Sequence, residues 1–100
     1  MDLRCEKRFP VHFNSVFTGP KTGDLTGTVL DLSKKGCVIE TTNQVYTGMP
    51  IILLIDVPDA ASPIHIGKAA VRWNRGGKVG VGFLTVDPAD QEKLDRFSNE

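Results

Sequence analysis

The stretch LTGTVLDLSKKGCVIET, Leu25 to Thr41, is two runs of strand-forming residues around one turn. Leu25 to Leu32 is rich in Thr and apolar residues that suit a pleated, half-buried surface. Ser33-Lys34-Lys35-Gly36 reads as a tight turn, with Gly36 expected at a positive φ. Cys37 to Thr41 resumes the strand pattern, so the whole segment predicts a β-hairpin.

The same pattern extends outward on both sides. Upstream, Phe9, Val11, Phe13 and Phe17 fall at alternate positions of Phe9 to Phe17, the period of a half-buried strand. The segment from Thr18 to Asp24, rich in Gly, Thr and Pro, is a loop. Downstream, Ile51 to Val57 is a nearly unbroken apolar run, expected to be a strand buried on both faces. Ile64 to Trp73 follows Pro58 and Pro63 as a longer strand. Asn74-Arg75-Gly76-Gly77 then turns the chain into Lys78 to Leu84, where Val79, Val81 and Phe83 alternate with Gly80 and Gly82. Trp73 and Phe83 are expected in the core, and the two glycines fit either close approach of a ligand or backbone or tight barrel packing. Asp87 suits a helix N-cap, Pro88 the first helical position and Asp90 the first turn. A helix from Pro88 to Ser98 would cover the sheet with Leu94 and Phe97. Six strands and a terminal helix predict a mostly β domain, a six-stranded antiparallel β-barrel with one C-terminal α-helix, since closure removes exposed edges.

Bulk composition fits one such domain. The chain has 100 residues, 40% hydrophobic and 24% charged, with 12 basic and 12 acidic side chains. That balance gives no basic surplus for wrapping nucleic acid, so no DNA or RNA polymer is expected as a partner. The charged N-terminus lacks an apolar signal core, and the longest apolar run, Ile51 to Ile55, is far short of a membrane span. A cytoplasmic protein without membrane insertion is expected, with Cys5 and Cys37 as reduced thiols rather than a disulfide.

Two clusters carry chemistry. Arg4 and Arg8 stand four apart before the first strand, and Asp31-Leu32-Ser33-Lys34-Lys35-Gly36 ends the second strand and makes its turn. Alone, each is ordinary: paired basic residues suit a solvated terminus, and D-x-S-x-x-G is a natural hairpin connection. Together they fit one kind of ligand. The arginine fork meets phosphate oxygens, or guanine O6 and N7, with two parallel hydrogen bonds. A carboxylate accepts from guanine N1–H and its amino group. The serine hydroxyl adds a donor and an acceptor, and Gly36 leaves room for close approach to the backbone.

This combination resembles the PilZ domain family, whose pattern is R-x-x-x-R followed, after a spacer, by D/N-x-S-x-x-G. Arg4, Arg8, Asp31, Ser33 and Gly36 match all five positions, with twenty-two residues between Arg8 and Asp31. The strand ending at Trp73, the Val79–Phe83 stretch and the terminal helix extend the likeness over nearly the whole chain. The resemblance implies a single domain over residues 1–100: a flexible ligand clamp at 1–8, a barrel over 9–84 and a helix over 88–98. It implies a non-catalytic receptor for the bacterial second messenger cyclic di-GMP, with no further cofactor. Arg4 and Arg8 would close over the ligand from a terminus ordered by binding, while Asp31, Ser33 and Gly36 hold it from the barrel. A downstream protein would read the bound state.

Other readings are weaker. Cys5, His12, Cys37 and His65 lack zinc-site spacing, so no metal is expected. A redox role for Cys5, favoured by its basic neighbours, competes with a plain exposed thiol. No nucleophile–base motif supports catalysis. The alternative function is a ligand-free PilZ-like protein-interaction module, which the intact motifs disfavour. An oligonucleotide-binding barrel would call for exposed stacking aromatics and a basic groove.

Overall fold

The computed structural model describes residues 9–58 and 60–96. Six strands, β1 (Phe9–Thr18), β2 (Asp24–Leu32), β3 (Gly36–Glu40), β4 (Pro50–Asp56), β5 (Ile64–Arg75) and β6 (Lys78–Thr85), precede one helix, α1 (Pro88–Asp95). They close a barrel in the order β1-β2-β3-β6-β5-β4, and every neighbouring pair is antiparallel. The predicted Leu25–Thr41 hairpin is present as β2 and β3, joined by the three residues Ser33 to Lys35.

Alternation supplies the core. Val29 and Leu32 of β2, Cys37 and Ile39 of β3, Ile66, Ala69 and Val71 of β5, and Val79 and Val81 of β6 all point inward. In β4 the apolar run does not mean burial on both faces. Ile51, Leu53 and Ile55 are buried, whereas Ile52 is 50% and Leu54 39% exposed. A closed barrel has one interior, and no second layer covers the outer face of β4 among the described residues. Unbroken apolar sequence usually marks a strand covered on both faces; here Ile52 and Leu54 are simply apolar residues in solvent.

Turn chemistry fixes the β5–β6 hairpin. Arg75 pairs with Lys78, and the two residues between them, Gly76 and Gly77, have φ of 57° and 85°. Two consecutive positive φ angles are the backbone of a two-residue hairpin turn that follows strand twist. α1 starts as expected, with Pro88 following the N-cap Asp87. Leu94 is fully buried and ties the helix down. Phe97 and Ser98, also expected in this helix, lie outside the described residues. No helix among the described residues is long and apolar enough to cross a membrane.

Candidate functional site

The β2–β3 turn is held by one side chain. Ser33 N–H donates to the Gly36 carbonyl at 2.9 Å, and Ser33 Oγ donates to the same oxygen at 3.2 Å. Ser33 Oγ also accepts from Lys35 N–H at 3.3 Å. Ser33 is fully buried, so its hydroxyl acts on the turn itself. Lys34 and Lys35 are thereby turned outward and exposed.

Gly36 serves a different purpose from the expected one. Its φ is not positive; it is the first residue of β3, paired with Gly82 of β6. A Cβ there would run into the Val81 carbonyl oxygen. The glycine is required here because β6 backbone comes close.

Asp31 lies next to this turn, half-buried, with buried Leu32 pointing inward after it. Registers across five strands place Pro10, Asp31, Val38, Gly80 and Trp73 in one cross-strand row. Val38 and Gly80 each sit between inward-pointing neighbours, so this row faces outward. At ordinary strand spacing Asp31 and Trp73 stand roughly 14 Å apart along it.

Trp73 is 39% exposed and not a core residue, contrary to the sequence expectation. A register shift between Val71 and Trp73 leaves Arg72 as an extra residue on β5. Such a bulge puts two successive side chains on one face. Arg72 and Trp73 both lie outside, over Gly82 and Gly80 respectively, where any Cβ would meet them. Gly80 and Gly82 are thus floors for an indole and a guanidinium. The Arg75 guanidinium carbon lies 5.9 Å from the Trp73 ring centroid, within cation–π range.

Beside the turn, Lys34, Lys35, Arg72, Phe83, Leu84, Val86 and Gln91 line a cleft of about 440 Å³. A larger concavity of about 680 Å³ lies at the other end of β3, lined by Thr41 to Val45, Asn74, Gly76, Gly77 and Val79. It has no charged lining residue, which makes the cationic cleft the better match to a phosphate ligand.

Arg4 and Arg8 lie outside the described residues, as does Cys5 with its expected redox and thiol roles. The register of β1 nevertheless constrains the arginines. Phe9 pairs with Leu32 and Pro10 with Asp31, so the chain enters the barrel beside the Asp31–Ser33 turn. Arg8 is bonded directly to Phe9, and chain geometry limits Arg4 to about 18 Å from it. Sequence reasoning did not identify Trp73, Arg72 and the glycines beneath them as surface features. The signal was a Trp near two glycines spaced two apart, but pairing them takes the bulged register.

A family model described as "PilZ domain" matches residues 2–100. No curated protein matches the chain. Among solved structures, the chain is similar to the PilZ domain with c-di-GMP of YcgR from Escherichia coli. The TM-score is 0.77 at 14% identity, over 95% of this chain and 88% of that one. The Bacillus subtilis inhibitor of motility MotI/DgrA superposes with a TM-score of 0.76 at 15% identity, over 97% of this chain and 50% of that one. The PilZ domain of CeSA from a cellulose-synthesizing bacterium gives 0.69 at 13% identity, over 90% and 92%. At these identities the likeness establishes the fold.

Proposed function

The chain belongs to the PilZ domain family, and from that premise we propose that it is a non-catalytic receptor for cyclic di-GMP that passes the signal to a partner protein. The observation that carries this reading is the β1–β2 register. Phe9 and Pro10, which follow directly on the arginine motif in the sequence, pair with Leu32 and Asp31. That register supports a single site built from both halves of the motif, which twenty-two residues of sequence separate. A structurally similar PilZ domain, that of YcgR, is described with c-di-GMP.

Each group has a physical role in the proposal. Asp31 accepts from the guanine N1–H and amino group. Arg4 and Arg8 supply bidentate contacts to phosphate or to the guanine Hoogsteen edge. Ser33 and Gly36 build the turn beside Asp31, and in this reading the Ser33 hydroxyl, with its remaining acceptor capacity, holds the ligand together with Asp31. Trp73, lying flat over Gly80 in the same row as Asp31, offers a stacking face to a base. Lys34, Lys35 and Arg72 offset the two phosphate charges. These groups hold a ligand and none of the assigned roles calls for turning it over.

A calorimetric titration tests the proposal. Cyclic di-GMP is expected to bind saturably, while GTP and single-stranded RNA at the same concentrations do not. Binding of RNA in preference to cyclic di-GMP would favour an oligonucleotide barrel. No binding of any of the three would favour the ligand-free interaction module.

A further inference from the structure

The N-terminal end of α1 brings together three groups that the receptor reading does not use. His65 is near the start of β5, Asp87 is the N-cap of α1, and Asp90 lies in its first turn. One ligand-capable atom from each lies within 4.8 Å of the others. Asp87 occupies the position where an Asp side chain normally caps backbone N–H groups, yet it makes no cap hydrogen bond. Asp90 is fixed in place: it is 8% exposed, and its Oδ1 accepts the His65 backbone N–H at 3.0 Å. Carboxylates held by such outer hydrogen bonds are the rule around bound metals. The His65 side chain is exposed and approachable.

Charge points the same way. Two carboxylates converge at the helix N-terminus, whose partial positive charge offsets part of their repulsion. Lys93 Nζ lies 3.6 Å from Asp90 Oδ1, but it is also bonded to Ser62 Oγ at 2.7 Å and the Pro63 carbonyl at 3.3 Å. One lysine offsets one carboxylate, leaving a net negative charge beside an imidazole nitrogen. An imidazole and two carboxylate oxygens, with water completing the shell, form a donor set suited to Zn²⁺.

We propose that His65, Asp87 and Asp90 form a site for a divalent transition ion, Zn²⁺ by donor chemistry, and that the ion pins α1 to β5. The helix has eight residues, too few to be stable without tertiary anchors. Its described anchors are Leu94, the Asp90 bond to β5 and the Lys93 bonds to Ser62 and Pro63. A metal bridging His65 on the strand to Asp87 and Asp90 on the helix adds a further one.

Tag-free protein titrated with Zn²⁺ by calorimetry, with Co²⁺ absorption as an optical probe, tests the site. One equivalent is expected to bind and to raise the thermal midpoint. His65→Ala and Asp87→Asn, both at exposed side chains, should each weaken binding about tenfold or more and remove the thermal shift. Cys5→Ser should behave as the unaltered protein, which separates this site from thiol binding. Absence of zinc binding, a smaller loss in either variant, or a loss in Cys5→Ser would overturn the proposal. Cyclic di-GMP plays no part in this experiment, so its outcome is independent of the receptor reading.

Discussion

Replacing Gly36 with alanine is expected to destabilise the protein by about 2–3 kcal/mol, the upper range for forcing extra atoms into a packed site. The added methyl would meet the Val81 carbonyl oxygen. That oxygen belongs to β6 backbone in the wall of a closed barrel, between β3 and β5, so it cannot rotate away as a side chain would. The β3–β6 pairing, from Gly36↔Gly82 to Glu40↔Lys78, would have to part at its first rung. The Ser33 turn would suffer with it, since Ser33 N–H and Oγ both bond to the Gly36 carbonyl. Thermal unfolding should fall by roughly 10 °C or more for a domain of this size. Gly23→Ala is the control, because a Cβ there meets nothing within 4 Å. Equal stability of the two variants would show that β6 does not approach Gly36 as described.

Removing both arginines, Arg4→Ala with Arg8→Ala, is expected to weaken cyclic di-GMP binding at least about a hundredfold. Each bidentate arginine contact is worth about 1–3 kcal/mol, although losses at one shared ligand need not add. Stability should be unchanged, since these residues precede the first barrel strand. The two substitutions thus test separate roles within one motif set, with loss of stability expected from Gly36→Ala and loss of affinity from the arginine variant. Calorimetry showing nearly full affinity in the double variant would remove the N-terminal segment from the site.

The strands, the hairpin Leu25–Thr41 and the start of α1 were legible because each depends on local chemistry. Alternation, turn residues and a Pro after an Asp act over a few positions. Features set by closure of the barrel were not legible. Ile52 and Leu54 read as buried because sequence shows only that they are apolar, and whether a layer covers them is a tertiary fact. Gly36 read as a turn glycine because its φ is a local matter, but its actual constraint comes from Val81, forty-five residues away. Trp73 read as core for a related reason: the bulge at Arg72 reverses which face the indole takes. At the candidate site, Asp31, Ser33 and Gly36 do lie close together, at the end of β2, in the turn and at the start of β3. Only the structure shows that the Ser33 hydroxyl bonds to the turn's own backbone. The grouping of His65 with Asp87 and Asp90, over twenty residues away, likewise needed the helix to fold back on β5.

The division of labour first suggested by the motifs is sharpened by this geometry. In the proposed receptor, Asp31 meets the ligand and Ser33 and Gly36 shape the turn beside it. The outward row from Asp31 to Trp73 is the platform that proposal assigns to the ligand.

Amide and indole chemical-shift mapping during a cyclic di-GMP titration tests this arrangement most directly. The account predicts the largest changes at Asp31 to Val38, Gly80 and the Trp73 indole, together with residues 2–9, and little change at Thr41 to Val45 and Gly76–Gly77. Changes centred on that neutral concavity, with the Asp31–Trp73 row unaffected, would contradict it.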